Sequence, residues 1–213
     1  MTTPPPPDES PLDMALAMRW KAINELERLL CLPIIRLQVM WAGVQWGEGW
    51  RFYGAPIIQK HRRSVLTLGK GAELRSTVRS NPLGPNHPVI LSTRRAESVL
   101  QIGDGFGMTG GAIVAENRIE IGNRVTVGAN TTIVDTDFHP IAVLARQQMP
   151  QAGANAPITI EDDVFIGMQS LVLKGVHIGA GSVIGAGSVV TRDIPAGVIA
   201  AGNPAQVIRK LEL

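Results

Sequence analysis

Ile178-Gly179-Ala180-Gly181-Ser182-Val183-Ile184-Gly185-Ala186-Gly187-Ser188-Val189-Val190 repeats itself every six residues, and that period decides the fold. A helix repeats near 3.6 residues and a simple strand at 2. A period of six, with one inward aliphatic side chain and small neighbours, fits a short flat strand followed by a tight corner. Corners call for residues that tolerate positive φ, which Gly, Asn and Asp supply. Working backward, the aliphatic series continues through Val172, Ile166 and Ile160. An earlier series reads Ile121-Gly122, Val127-Gly128 and Ile133, preceded by Ile102-Gly103, Met108 and Val114, and by a fragment, Leu68-Gly69 and Leu74. The phase slips by one residue between Val114 and Ile121, where a bulge or corner adjustment is expected. Three hexads close a triangular coil, and coils stack in parallel register at ~4.8 Å each, so five to six coils make a prism roughly 25–30 Å long. Such a solenoid needs covers at its ends, for which the N-terminal helix and the tail Val207–Leu213 are the natural candidates.

Length and composition agree with one domain that buries a real core: 213 residues, 45% hydrophobic and 18% charged. Sixteen of the 23 glycines follow residue 100, whereas all four Trp lie at or before Trp50, so the two halves are built differently. The nine aromatics suit a narrow coil with little room for rings. A lone Cys31 excludes a disulfide framework and any Cys-rich zinc module, and suggests a reducing compartment. The charge-free stretches Leu29–Ile35 and Leu37–Gly47 are too short to span a bilayer. With no basic-then-apolar leader in view, a cytoplasmic location is expected. Net charge is +2 with a pI of about 9.0. The dense basic spots, Lys60 to Arg63 and Arg94–Arg95, lack the groove-reading helix or stacking aromatics of a nucleic-acid binder, so no nucleic-acid partner is expected.

Along the chain, residues 1–11 read as a disordered Pro-rich tail and 12–52 as a helical cap segment. Residues 53–213 read as the coiled domain, with excursions at 80–98 and 140–157. Leu12, Leu16, Trp20, Ile23, Leu26 and Leu30 form one helical stripe that Pro33 should end. The favoured reading of this segment is a helix capping the core; the alternative is contact with a membrane surface or a partner, aided by Trp41, Trp46 and Trp50. Two decoys are set aside. Gly105 to Gly110 matches a dinucleotide fingerprint, but an aliphatic hexad follows where a helix is required. Asn130-Thr131-Thr132 matches a glycosylation sequon inside a coil.

Interruptions of a solenoid are where function is placed. His139, in Asp135-Thr136-Asp137-Phe138-His139-Pro140, sits where a coil meets the second excursion. Imidazole, with an ordinary pKa of about 6.5, provides a base near pH 7. The position equally suits a turn histidine bonded to a backbone carbonyl. Asp137, or else Asp135, is expected to fix the ring tautomer; corner residues solvated at a coil edge are the other reading. His61 and His177 read as surface residues, and His87, on the first excursion, as a candidate for lining a pocket. His139 and His177 are 38 residues apart, without the close-spaced pair that a three-histidine zinc site would need, so no metal is expected.

The run from Val164-Phe165-Ile166-Gly167 through Ile178–Pro195 to Ala201-Gly202-Asn203-Pro204-Ala205 resembles the hexapeptide-repeat acyltransferases, most of all their galactoside, maltose and cell-surface-polysaccharide O-acetyltransferase branch. The resemblance covers roughly residues 64–213. It implies an all-β solenoid, a left-handed parallel β-helix, with an N-terminal helical segment. It implies a homotrimer with active sites between subunits, and transfer of an acetyl group from acetyl-CoA to a sugar or polysaccharide hydroxyl. His139 then matches the family's catalytic histidine. Ala186, Thr191 and Arg192 fall where coenzyme A is contacted, Arg209 where a basic side chain meets its phosphates, and Met168, beside Gly167, where a backbone N–H faces the thioester oxygen. Asn86, His87, Thr109 and Glu116 fall near the acceptor. The chain departs from the pattern at Phe165, where Trp is usual, at Gln206, where Lys or Arg is common, and at Gly107-Met108-Thr109, which lacks the acceptor-binding asparagine. Acetylation of an antibiotic, and a β-helix scaffold without catalysis, are the alternative functions.

Overall fold

The structure is a computed structural model that describes residues 18–211. The tail expected at 1–11 lies outside the described residues, as do Leu12 and Leu16 of the apolar stripe. A first helix, α1 (Arg19–Trp41), leads into six coils of short strands. The first three are β1 (Arg51–Tyr53), β2 (Ile57–Lys60) and β3 (Val65–Leu68); β4 (Glu73–Arg75), β5 (Ile90–Thr93) and β6 (Val99–Ile102); and β7 (Gly107–Thr109), β8 (Ala112–Ala115) and β9 (Arg118–Ile121). Then come β10 (Thr126–Val127), β11 (Thr132–Val134) and β12 (Ile158–Ile160), and β13 (Phe165–Ile166), β14 (Leu171–Val172) and β15 (His177–Ile178). The sixth coil is β16 (Val183–Ile184) and β17 (Val189–Val190), closed by a bridge from Ile194 to Ile178. The chain ends in β18 (Val198–Gly202) and β19 (Ala205–Lys210).

Every third strand joins the same sheet. Sheet A runs β1-β4-β7-β10-β13-β16-β18-β19, sheet B β2-β5-β8-β11-β14-β17, and sheet C β3-β6-β9-β12-β15. All pairings are parallel except β18 with β19, where the tail folds back and covers the edge of the last rung. The register lines up three inward columns, that of sheet C being Leu68, Ile102, Ile121, Ile160 and Ile178. Phe52, Leu74, Met108, Val127, Ile166, Ile184 and Ala200 line sheet A; Ile58, Leu91, Ile113, Ile133, Val172 and Val190 line sheet B. On sheet B the inward residue is Ile113, fully buried, rather than Val114. Two corners share the phase slip: the corner Gly110-Gly111, both at positive φ, is one residue short, and the corner Glu116-Asn117 is longer. The first excursion is also shorter than 80–98, because Ile90–Thr93 is β5 and Leu91 points into the lumen. It occupies 76–89 and contains one 3₁₀ turn, Val78–Ser80. In the second excursion sits α2 (Val143–Gln148).

Two kinds of glycine, on different positions of the hexad, make this stacking work. Glycines after the inward aliphatic residue do not turn the chain. A Cβ on Gly179 would lie 2.4 Å from the Ala196 backbone nitrogen, so the site is bare to let successive coils reach hydrogen-bonding distance. The turn itself comes two residues later, where positive φ recurs at Asp163, Gln169, Gly175, Gly181 and Gly187. At the corner between sheets C and A, side chains reinforce the stack. Asp104 Oδ1 accepts from Lys70 N at 2.7 Å, Asn123 Oδ1 from Asp104 N at 2.9 Å, and Asp162 Oδ1 from Asn123 N at 2.8 Å. The series stops at Ala180, which has no acceptor; its N–H donates to Glu161 Oε2 at 2.8 Å instead.

The N-terminal end of the lumen is plugged by rings: Trp50 stacks on Phe52 at 5.1 Å, with Trp46 tilted against both. α1 packs onto β1 and the 3₁₀ turn with Asn24, Ile35 and Val39 buried, Asn24 Nδ2 donating to Arg79 O at 3.0 Å, and not through the stripe read from the sequence. Trp20, Ile23, Leu26 and Leu30 stay exposed. Nor does Pro33 end the helix, which continues for two more turns. Pro33 and Leu29 face outward, so the carbonyl deprived of its N–H partner is on the solvent side, while Ile35 and Val39 beyond it are buried in the core. Glu25 ties helix to coil, accepting from Arg51 Nη2 at 2.6 Å, Arg28 Nε at 2.8 Å and the Tyr53 hydroxyl. Burial alone would raise its carboxyl; the three donors outweigh that and hold it at about 2, below the ordinary 4.5.

Three variants test this account. Gly179→Ala should lower the free energy of unfolding by ~1–3 kcal/mol through overpacking. Gly107→Ala, whose Cβ would meet nothing within 4 Å, should stay within ~0.5 kcal/mol of wild type in urea denaturation. Because Glu25 is depressed in the folded state, its contribution is present above its unfolded value and fades as pH falls from 4.5 toward 2. Urea midpoints of wild type and Glu25→Gln should therefore differ at pH 7 and converge near pH 2.

Candidate active site

The corners of the prism, stacked from coil to coil, form columns, and the side chains singled out from the sequence fall mostly into two of them. The corner between sheets B and C carries, coil by coil, His61-Arg62-Arg63, Arg94-Arg95, Glu116-Asn117, the second excursion with His139, then Lys174, then Thr191-Arg192. The corner between sheets A and B carries Asn86 and His87 on the first excursion, then Gly110-Gly111, Asn130, Gly167-Met168 and Ala186. Arg209 lies apart on β19, paired opposite Ile199. Within one chain His139 and Met168 therefore stand on different corners.

His139 is exposed. Its Nδ1 lies 2.5 Å from the Pro150 carbonyl oxygen, which can only accept, so the proton is on Nδ1 and Nε2 presents a free lone pair. The ring is thus held by a backbone carbonyl, and neither Asp137 nor Asp135 holds it. Asp137 Oδ1 accepts from Lys174 Nζ at 2.6 Å on the next coil. Asp135 is fully buried and accepts from the N–H groups of Glu116 at 2.7 Å and Asn117 at 2.8 Å. Burial pushes the Asp135 carboxyl up, against the lowering effect of those donors. Both aspartates anchor the corner on which the histidine is mounted.

The backbone around His139 is tightly set. Phe138 has φ +60°, a left-handed conformation that a bulky residue adopts at a cost. Arg94 lies 4.9 Å over its ring. The far arm of the excursion clamps the near arm through Asp137 N to Ala154 O at 2.8 Å and Ala156 N to Asp135 O at 3.0 Å. Gly153 fits flush beneath: a Cβ there would lie 2.6 Å from the Phe138 carbonyl carbon and 2.7 Å from His139 N. Pro150, Gly153 and Lys174 were not singled out from the sequence, and Arg94 was read only as part of a dense basic spot. For Gly153 the one available signal is a glycine inside an aperiodic loop.

The remaining residues take varied places. Glu116 is buried and bonded to Arg95, at 2.9 Å to Nε and 2.5 Å to Nη2, with Arg94 Nε 3.6 Å away; its carboxylate is used inside the chain rather than offered to an acceptor. Thr109 is buried and accepts from Asn81 Nδ2 at 3.3 Å. The exposed Asn86 donates its backbone N–H to Asn130 Oδ1 at 2.9 Å, and His87 Nδ1 lies 2.8 Å from Pro88 O. Gly167 and Ala186 belong to neighbouring coils in contact: a Cβ on Gly167 would lie 2.5 Å from Ala186 N. Ala186, Thr191, Arg192 and Arg209 are exposed. His177 pairs with Glu161 at 2.9 Å. A groove of about 670 Å³ over sheet C, lined by Gln101, Glu120, Thr159 and Asp162, contains none of these candidates. Among the described residues, no three His, Cys, Asp or Glu side chains are grouped to hold a metal.

Comparison with known proteins agrees with this architecture. The sequence profile described as hexapeptide repeat of succinyl-transferase matches residues 157–192. A galactoside O-acetyltransferase of Lactococcus lactis is 46% identical over 99 residues, 46% of this chain and 46% of the relative. A 2,3,4,5-tetrahydropyridine-2,6-dicarboxylate N-acetyltransferase of Clostridium perfringens is 52% identical over 59 residues, 28% of this chain and 25% of the relative. The chain thus spans about half the length, or less, of these curated relatives. Among solved structures, a hexapeptide-repeat-containing acetyltransferase from Vibrio cholerae superimposes with a TM-score of 0.54 at 24% identity, covering 97% of this chain and 96% of that one. The fold is accordingly the left-handed parallel β-helix.

The tautomer is directly measurable. In ¹⁵N-edited spectra above the titration range, His139 should show the Nδ1–H form, and Gly153→Ala should abolish that preference. An Nε2–H form in the wild type would contradict the Pro150 bond.

Proposed function

We propose that this chain, a member of the hexapeptide-repeat acyltransferase family, transfers an acetyl group from acetyl-CoA to a hydroxyl of a sugar or polysaccharide, with His139 as general base. The observation that carries the proposal is the exposed imidazole with Nδ1 tied to Pro150 O and Nε2 open. Nε2 takes the acceptor's hydroxyl proton as its oxygen attacks the thioester carbonyl. The resulting tetrahedral oxyanion needs a backbone N–H, the role given to Met168 beside Gly167. Collapse breaks the C–S bond, and the imidazolium returns its proton to the departing thiolate. No covalent acyl-enzyme is required. The sugar acceptor is supported by the galactoside enzyme among the relatives.

The two-column arrangement bears on assembly. If His139 and Met168 serve one reaction, they come from different copies, the B–C corner of one facing the A–B corner of the next. A cyclic trimer satisfies this with three equivalent sites. Ala186 then lines the pantetheine path. Thr191 and Arg192, two coils beyond His139 on the same column, meet the nucleotide end of the donor, with Arg209 near its phosphates.

Coenzyme-A release from acetyl-CoA, measured across galactosides, maltose and oligosaccharides, tests the proposal. His139→Ala should fold and lose activity by ~100-fold or more; wild-type-like turnover by it would sink the mechanism. Mixing His139→Ala with Ala186→Trp subunits should restore activity in about a quarter of the sites if each is built by two copies. Persistent inactivity of the mixture would place the site within one chain.

A further inference from the structure

The face of α1 turned away from the coils is out of character for a surface exposed to water. At 100° per residue, about 140° of its circumference faces directly away from Asn24, Ile35 and Val39. Every residue that falls there between Lys21 and Ala42 is Ala, Ile, Leu, Pro, Met or Trp. Leu26, Leu29, Leu30, Ile34, Leu37 and Met40 are 55–70% exposed, and Trp41 at the C-terminal end is 94% exposed. Arg19, in the first turn, also falls on this side; from Lys21 onward the face carries no charge, and although single exposed apolar residues are ordinary, such a face marks an interaction surface.

We infer that this face lies on the surface of an anionic lipid bilayer. The arc is broader than the narrow seam through which two helices pair. Glu25, Glu27, Arg28 and Arg36 on the other faces keep the helix from crossing the bilayer, and among the described residues no helix is long and apolar enough to do so. A helix of this kind lies flat, its apolar side sunk to the headgroup boundary and its Trp at the interface. Charge complementarity points the same way. Lys60 Nζ lies beside Gly43, just past the helix, and opens the basic corner His61-Arg62-Arg63. Ile58 on the same strand shares a groove with Ile34, Leu37 and Trp41. Among the described residues, Lys60 and Arg62 have no acidic partner, which leaves them for lipid headgroups, while Arg36 lies 5.8 Å over the Trp46 ring. The apolar face is on α1, and the basic residues that accompany it stand three coils before His139 on the same corner column, so this inference does not depend on the acyl-transfer reading.

The test is sedimentation of the full-length protein with vesicles of phosphatidylcholine alone and of phosphatidylcholine with roughly a third phosphatidylglycerol. The wild type should pellet with the anionic vesicles, less with the neutral ones, and less as salt is raised. Leu30→Glu/Leu37→Glu should weaken pelleting by more than ~10-fold with circular dichroism and oligomeric mass unchanged. Should that pair fail to fold, Trp41→Ser gives a second readout, removing the blue shift of tryptophan emission that vesicles produce in the wild type. A wild type that stays in the supernatant with anionic vesicles overturns the inference. So does a Leu30→Glu/Leu37→Glu protein whose oligomer falls apart, since a second copy would then be the occupant.

Discussion

Backbone contact between successive coils is the constraint from which everything else in this molecule follows. Where the backbones approach most closely the residue after the inward aliphatic carries no side chain, as at Gly128, where a Cβ would lie 2.4 Å from Met168 N, whereas sheet B takes Val134, Leu173 and Thr191 at the same position. Once that spacing is met, the register is fixed, the inward columns form, and the lumen is only as wide as aliphatic side chains can fill. Rings then concentrate at the N-terminal end, where Trp46, Trp50 and Phe52 close the opening. Insertions are confined to corners, since strands have no slack. Both excursions leave from corners, and the catalytic candidate is on the larger.

Much of the fold was legible because one period encodes it. The ladder Ile160–Ile178 and its counterparts follow from counting by six. Where counting fails, the reason is local. Gly110-Gly111 shortens one corner and so moves the inward position from Val114 to Ile113. Strand β5 was hidden because the first excursion separates Leu74 from Leu91 by 17 residues and breaks the phase. The helix was legible, but its orientation was not: α1 is apolar on two sides, and periodicity cannot tell which side meets the coils.

The candidate site was legible to a different degree. His139 stood out at the junction of a coil and a loop, and one of the two readings of that position, a histidine bonded to a backbone carbonyl, is the bond the structure shows. Its orienting partner did not, because the Pro150 carbonyl is a backbone group eleven residues away with no residue type to betray it. The Asp137–Lys174 pair spans 37 residues and joins one corner to the next coil, a relation that only the stacked register reveals. Sequence reading assigned the aspartates to the imidazole; the fold uses them to hold the platform and leaves the ring to the loop.

The side-chain series at the C–A corner gives the prism a direction. From Lys70 to Asn123, each main-chain N–H is met by the side chain one coil further on, at Asp104, Asn123 and then Asp162. Each coil thus completes the one before it, like a row of roof tiles in which every tile seals its predecessor. Stripping coils from the C-terminal side would unseal one corner at a time, whereas removing them from the N-terminal side leaves the remaining corners closed until Glu161, which meets the Ala180 N–H from the coil before, is lost. A growing chain therefore finishes each corner only after the next has been laid.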